Sequence, residues 1–327
     1  MELLERILRV SDKGFLIESE QDCFRFGSRA LHEMLLELTP AEKRPALHLR
    51  VAEALEKLLP RQRWVMDIAR QYEAAGQPGK AATHLLAAGA EASRNFAFKD
   101  ALAIYKRTLE VPVEERSLTD EVILEKIADA QKGVGQYQAS KAGYEALLAK
   151  ALATITQVRL RRKIAECEQT LGDFAGAYQH LSEGLSLLGV GGGDQKAAPK
   201  GASPLSWVKK HFSKLSGSFN SDDVMSQEIH HILDRQISTL FFLRPEGWKK
   251  QVAELAGLQK NVAKKLNNPQ ALAQAQVFLG FVELSQGRRD SALLFWKKGI
   301  EITETLRDGP YKLLLLRNTG LMHLLAG

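Results

Sequence analysis

Small and bulky apolar residues recur at fixed distances from four glycines of the chain, Gly76, Gly135, Gly172 and Gly287. Seven residues before each glycine lies a small residue, which follows a large apolar one. Five residues after each glycine a small residue returns, and nine residues after it comes a bulky one. This phased pattern predicts two antiparallel helices around each glycine, because small residues allow helices to cross closely and bulky ones fill the space beside them. The four bulky positions are Leu85, Tyr144, Leu181 and Trp296.

The glycine itself suits the turn, because helix C-termini often end in a left-handed conformation that glycine adopts readily. One helix pair cannot bury its apolar face alone, so neighbouring pairs are expected to stack into a solenoid. Aromatic residues make up only 7% of the chain, which argues against a β-protein. We therefore predict an all-α fold, a solenoid of about six or seven helix pairs with one small N-terminal β-hairpin.

The turns resemble those of tetratricopeptide (TPR) repeats, whose period is about 34 residues. Residues 135–140 and 172–177 carry the glycine, aromatic and small-residue order of that family, and the two turns lie 37 residues apart. A degenerate turn without glycine fits at 98–101, followed by Tyr105. The resemblance implies a TPR-like α-solenoid, a right-handed superhelix of helix pairs.

The N-terminal 60 residues have a different pattern. Two short β-prone runs, 14–17 and 23–26, flank a polar stretch and predict a hairpin. Ser28 is placed to cap a helix over 29–38, and Pro45 suits the first turn of a helix that ends near Leu59. This order of elements resembles the end of a winged-helix module.

Residues 189–204 are rich in glycine, proline and small residues, which predicts a flexible linker. After the linker, 225–243 and 248–266 form another plausible helix pair. We therefore divide the chain into a winged-helix-like segment (1–60), TPR-like repeats (61–188), the linker (189–204) and an amphipathic segment with further repeats (205–327).

The combined order of residues 24–110 resembles the junction between winged helix and TPR region in signal-transduction ATPases of the STAND class. In bacteria such proteins are fused to serine/threonine kinases, nucleotide cyclases or transcriptional regulators. The resemblance implies a cytoplasmic signalling protein with an upstream ATPase domain. Because residue 1 falls within the expected winged helix and Gly327 falls on a turn glycine, we interpret the chain as a fragment.

Composition and motifs narrow the chemistry further. A chain with 45% hydrophobic and 26% charged residues folds, and its apolar runs are too short to cross a bilayer. The formal charge of +6 permits an acidic partner without requiring one. The two cysteines lie 144 residues apart, and neither a phosphate-binding loop nor a catalytic or metal-ligating spacing occurs. We expect no cofactor, no metal and no enzymatic activity.

The first helices of successive TPR pairs line a concave surface, and arginines recur at their outward-facing positions. Arginine binds carboxylates through paired hydrogen bonds. The predicted partner is therefore a protein or peptide ligand, and an acidic ligand would fit well. The alternative, which we favour, is a solvated face with internal salt bridges, since acidic residues are interspersed there. The candidate residues are Arg63, Arg70, Arg159, Arg162 and Arg317.

Residues 205–215 form a short basic amphipathic stretch. Its apolar positions share one helical face, a pattern that suits an anionic membrane or a partner helix. We favour packing of that face on the solenoid, because three turns give little membrane affinity. The residues concerned include Trp207, Lys209, Lys210, Phe212 and Lys214.

The leading functional hypothesis is a non-catalytic interaction or sensor scaffold. The alternative is a DNA-binding transcriptional regulator that acts through the winged helix. Against nucleic acid as a partner, the N-terminal segment has few clustered cations, and its second helix begins with proline rather than a basic reading face. A third possibility is a purely structural array that packs on domains of its own parent chain.

Overall fold

The computed structural model describes residues 13–18, 24–58, 61–190 and 224–304, together with the single positions 10, 316, 320, 323 and 324. The two strands are β1 (Leu16–Glu18) and β2 (Phe24–Phe26). The α-helices are α1 (Arg29–Leu38), α2 (Arg44–Leu58), α3 (Arg61–Ala74), α4 (Pro78–Arg94), α5 (Phe98–Leu109), α6 (Asp120–Gly133), α7 (Tyr137–Leu148), α8 (Thr154–Leu171), α9 (Phe174–Leu185), α10 (Val224–Leu243), α11 (Trp248–Lys265), α12 (Pro269–Ser285) and α13 (Arg289–Glu304).

The N-terminal elements follow the sequence pattern closely. Strands β1 and β2 pair antiparallel, with Leu16 opposite Phe26, so the predicted hairpin is present. The hydroxyl oxygen of Ser28 accepts the backbone N–H of Leu31 at 3.1 Å and thereby caps α1. Helix α2 begins one residue before Pro45, as expected for a proline in the first helical turn.

The chain divides into two compact units, residues 1–123 and 124–327. In the first unit, α4 packs against both α3 and α5. A buried cluster of Ala52, Ile68, Tyr72 and Ala81 joins α2, α3 and α4. The turn after α3 uses Gly76 with a φ of 68°. The degenerate turn predicted at 98–101 is also present, since α5 begins at Phe98 after a tight turn.

In the second unit, each helix from α7 to α9 packs against the next one along the chain. Gly135 and Gly172 occupy the turns before α7 and α9, with φ of 84° and 87°. Such values cost glycine little because it has no β-carbon, which explains why the sequence repeats it there. In the crossing of α6 with α7, the Ser140 hydroxyl donates to the carbonyl oxygen of Ala128 at 2.8 Å.

The helix pair predicted at 225–243 and 248–266 is present as α10 and α11. Helix α10 packs on both α8 and α9, and one apolar cluster runs from Leu181 in α9 through Ile232 in α10 to Leu255 in α11. Helices α12 and α13 complete the described stack. Gly189 and Val190 end a π-helical turn, Ser186–Val190, and the remainder of the predicted linker lies outside the described residues.

The phased positions of the sequence pattern are the places where helices meet. The bulky residues that follow the four turn glycines by nine positions are all fully buried: Leu85, Tyr144, Leu181 and Trp296. The small residues seven positions before those glycines are buried too or carry no side chain to expose, namely Ala69, Ala128, Ala165 and Gly280. The described chain is therefore all-α apart from one hairpin, and its antiparallel helix pairs are those of a TPR-like α-solenoid.

A ladder of paired charges as the candidate functional site

A ladder of ion pairs connects the first helices of consecutive pairs in the second unit. Between α6 and α8, the Arg159 guanidinium donates two bonds to the Glu125 carboxylate, at 2.9 and 3.0 Å. The Lys163 ammonium lies 2.8 Å from Glu125 and 2.6 Å from an oxygen of Asp129. Two parallel bonds fix both the distance and the orientation of a side-chain pair, so α6 and α8 are held in one register. The charge ladder consists of Glu125, Asp129, Lys132, Arg159, Arg162, Lys163, Glu166 and Glu228.

The ladder continues from α8 to α10. The Nε and Nη2 atoms of Arg162 donate to the Glu228 carboxylate at 2.8 and 3.1 Å, and its Nη1 donates to Glu166 at 2.7 Å. The other oxygen of Glu166 accepts a bond from Lys132 at 2.6 Å. Three successive first helices are thus linked by charged side chains, although α8 and α10 are separated in sequence by residues 172–223, which include α9.

Three members of the ladder, Glu125, Arg162 and Glu166, are held in their charged forms by their neighbours. Burial would raise the pKa of Glu166, but the positive charges of Lys132 and Arg162 outweigh it and lower the pKa to about 2. Burial likewise opposes ionisation of Glu125, but hydrogen bonds and charge from Arg159 and Lys163 leave its pKa below the usual range. Bonds to two carboxylates outweigh the effect of burial on Arg162 and raise its pKa. Removing one partner would leave a desolvated charge, which is strongly destabilising.

The structure places the predicted arginines in different surroundings. Arg159 and Arg162 are members of the ladder and bond to carboxylates of the chain itself. This arrangement corresponds to the internal salt bridges of the alternative interpretation. Arg70 is 62% exposed and lies 3.5 Å from Asp67, one turn earlier in α3. Arg63 belongs to α3, but its side chain is not among those described. Arg317 lies outside the described residues, as do the amphipathic positions Trp207, Lys209, Lys210, Phe212 and Lys214.

Several ladder residues escaped the sequence reasoning, among them Lys132, Lys163 and Glu228. A signal for two of them was available. Glu125 and Arg159, Asp129 and Lys163, and Lys132 and Glu166 are each separated by 34 residues. Opposite charges at the period of a helical repeat predict contact between equivalent positions of neighbouring repeats. Glu228 offered no such signal, because the intervening segment breaks the period.

One arginine beside the ladder keeps much of its surface free. Arg235 in α10 is 44% exposed, and its Nε atom lies 3.8 Å from Glu166 and 3.9 Å from Asp234. The Gln169 amide nitrogen in α8 donates to the Arg235 carbonyl oxygen at 3.1 Å and to Thr239 at 2.7 Å, so α8 and α10 are in contact here. Two turns further along α10, Phe242 stacks on Phe174, with ring centroids 4.7 Å apart.

The described residues contain no group of three His, Cys, Asp or Glu side chains that could hold a metal ion. Cys167 is buried, and burial raises the pKa of its thiol, which keeps it protonated and unreactive. Across the described part of the chain, no helix combines the length and apolarity that crossing a membrane requires.

Comparison with known proteins gives structural similarity only. No family model matches the chain, and no curated protein matches it. The chain is similar to YrrB, a TPR protein with an unusual peptide-binding site, at 14% identity and TM-score 0.40 over 76% of this chain and 96% of that one. It is similar to BtubC from P. vanneervenii at 16% identity and TM-score 0.44 over 83% and 95%. A tetratricopeptide repeat protein from Parabacteroides merdae matches at 14% identity and TM-score 0.35 over 85% and 99%.

Proposed function

We propose that this chain is a non-catalytic scaffold that binds a protein or peptide ligand on the face carrying the charge ladder. The observation that carries the proposal is the ladder itself. Its ion pairs fix the spacing of α6, α8 and α10, so the exposed side chains beside it are held ready before a ligand arrives. A surface ordered in advance loses less entropy on binding than a flexible one.

The ladder carries four cationic and four anionic side chains, so it is the arginines of that face, and not its net charge, that favour a ligand with acidic groups. Arginine forks match carboxylates, and of the predicted arginines Arg159 and Arg162 belong to this face; for Arg63, Arg70 and Arg317 a role in binding stays a separate prediction. A ligand that engages Arg159 or Arg162 must displace Glu125 or Glu228 from bonds of about 3 Å. Binding there would therefore loosen the spacing between helices, which is how a sensor could transmit occupancy to another domain.

We further propose that the chain is a cytoplasmic fragment of a bacterial STAND-type ATPase, with a winged-helix remnant at its N-terminus and the ATPase domain upstream. The hairpin β1–β2, the Ser28 cap and the succession of α1 and α2 support this placement, since they follow the order that the resemblance implies. In this arrangement the solenoid senses a ligand and the upstream domain responds.

A display experiment tests the scaffold function directly. The purified full chain is immobilised and screened against a phage-displayed library of random dodecapeptides, and the enriched peptides are synthesised and measured by fluorescence anisotropy. We expect enriched sequences to be acidic and their affinity to fall as salt is raised. Arg159→Gln should weaken binding, whereas a double change of the exposed α13 residues Lys297→Gln and Lys298→Gln should not. If no sequence is enriched over the bare support, the scaffold proposal fails.

A further inference from the structure

Four side chains lie along the seam between α8, the start of α9 and α10. The seam strip is defined as Gln169, Phe174, Arg235 and Phe242. One contact marks each end of the strip, since Gln169 bonds to the backbone of Arg235 at 3.1 Å and Phe174 stacks on Phe242 at 4.7 Å. Arg235 and Phe242 are seven residues apart in one helix, so they lie on the same face of α10.

Arg235 provides a positive charge that the neighbouring carboxylates do not fully neutralise. Around Glu166 and Glu228 stand three cations, Lys132, Arg162 and Arg235. Lys132 and Arg162 make hydrogen bonds shorter than 3 Å to those carboxylates, whereas Arg235 approaches Glu166 only to 3.8 Å. The second carboxylate near Arg235, Asp234, lies at 3.9 Å, and burial raises its pKa. Among the described residues no ion pair of Arg235 is shorter than 3.8 Å, so its guanidinium can pair with an added carboxylate.

Phe242 supplies an apolar contact at the other end of the strip. Its side chain is 68% exposed even though one face of the ring stacks on Phe174. Leu171 at the end of α8 and Leu243 at the end of α10 are also exposed near this end of the two helices. Large apolar side chains exposed together on an ordered surface are typical of binding sites, and stacking on Phe174 limits the motion of the Phe242 ring.

The spacing of the two ends selects the shape of the ligand. Seven residues of α-helix rise about 10 Å, and an extended chain covers this distance in about three residues. We propose that the seam strip binds an extended peptide segment in which a carboxylate lies about three residues from a bulky apolar side chain. The carboxylate pairs with Arg235, and the apolar side chain packs on Phe242. This inference rests on the proposed scaffold function and specifies the ligand of that face.

Designed peptides provide the test. The probes are fluorescein-labelled decapeptides of glycine and serine that carry one phenylalanine and one aspartate three positions apart. Two matched peptides replace the aspartate by asparagine or place the two residues adjacent. By anisotropy titration of the full chain, we expect the first peptide to bind at least ten times more tightly than either matched peptide. Equal binding of the three, or no binding at millimolar protein, overturns the proposal.

Variants assign the effect to the strip. Arg235→Gln should abolish the preference for aspartate over asparagine, and Phe242→Ser should weaken binding of both peptides. Arg289→Gln, which removes an exposed charge from α13, is the control and should leave all affinities unchanged. Arg235 and Phe242 are both exposed, so the circular dichroism spectrum and the thermal midpoint of these variants should stay as in the wild type. An aspartate preference that survives Arg235→Gln would also overturn the proposal.

The outcome separates this inference from the scaffold function. If library peptides bind and their affinity is insensitive to Arg235→Gln and Phe242→Ser, the scaffold proposal stands and the seam strip is not its site. If neither library nor designed peptides bind the folded chain, both proposals fail together.

Discussion

Gly280 in α12 lies directly beneath the indole ring of Trp296 in α13. A β-carbon on Gly280 would collide with the ring, which is itself fully buried and donates its Nε1–H to the carbonyl oxygen of Val277 at 3.3 Å. Gly89 in α4 has the same relation to Tyr105 in α5. In both pairs the small residue lies seven positions before the turn residue and the bulky residue lies nine positions after it. The turn residue is Gly287 for the first pair and Phe96 for the second. The helices approach closely because one of the two side chains is absent.

We predict that Gly280→Ala lowers the free energy of unfolding by about 1–3 kcal/mol. The new methyl group must push the indole out of a fully packed site, which outweighs the gain that alanine brings to a helix interior. Chemical denaturation of both proteins measures the difference.

Gly257→Ala in α11 is the matched control, because a β-carbon there meets nothing within 4 Å. It should stabilise the protein by about 0.5–1 kcal/mol. A Gly280→Ala protein as stable as the Gly257→Ala protein would show that the crossing can widen freely.

The ion pair between Arg162 and Glu228 should contribute far more to the free energy of unfolding than the exposed pair of Arg70 with Asp67. We predict that Arg162→Ala costs about 3 kcal/mol, because it leaves the carboxylate of Glu228 buried without its partner. Arg70→Ala should change stability by less than about 1 kcal/mol, since both of its charges are solvated.

A double-mutant cycle separates pairing from burial. The cycle compares Arg162→Met and Glu228→Leu, singly and combined. The double variant should recover much of the stability lost in either single variant, because neither member of the pair is left charged without the other. Additive losses would mean that the two side chains act independently, and the ladder would then contribute little to the register of α8 and α10.

Stability should also depend on the protonation of His180. Its Nδ1 atom lies 2.9 Å from the buried carboxylate of Glu168, which also binds Lys141 at 2.9 Å. The hydrogen bond to Glu168 raises the pKa of His180 despite partial burial. A group whose pKa is raised on folding stabilises the fold at pH values below its unfolded pKa, and this contribution is lost as pH rises through the folded pKa.

We therefore expect stability to fall as pH rises above about 6.5, and His180→Gln to flatten that part of the profile. Titration of the His180 ring by NMR reports the pKa directly. In Lys141→Met the pKa of His180 should rise further, because one competing cation at Glu168 is removed. A His180 pKa at or below that of a free histidine would contradict this account.

The sequence predicted the helix pairs because their determinants are local. A turn glycine, a small residue and a bulky residue report the crossing of two adjacent helices, as Gly172, Ala177 and Leu181 do. The partners of Arg159 and Arg162 depend instead on how neighbouring repeats stack. Arg159 meets Glu125 one repeat away, at a spacing that could have been recognised, but Arg162 meets Glu228 across 66 residues. Contacts of that kind follow from packing that no local pattern encodes.

The turn between α4 and α5 has no glycine at the position that Gly76 and Gly172 occupy in their turns. Phe96 occupies this turn with a φ of 60°, and its side chain is 81% exposed. The left-handed conformation costs a residue with a β-carbon about 1–2 kcal/mol relative to glycine. Phe96→Gly should therefore raise the thermal midpoint, since within the described chain the Phe96 ring gives up an edge-on contact with Phe98 at 6.0 Å. Asn267→Gly, at the turn before α12 with a φ of 47°, is the control and should change stability little, because asparagine tolerates this conformation. A destabilised Phe96→Gly protein would show instead that the exposed ring contributes more to the fold than its backbone conformation costs.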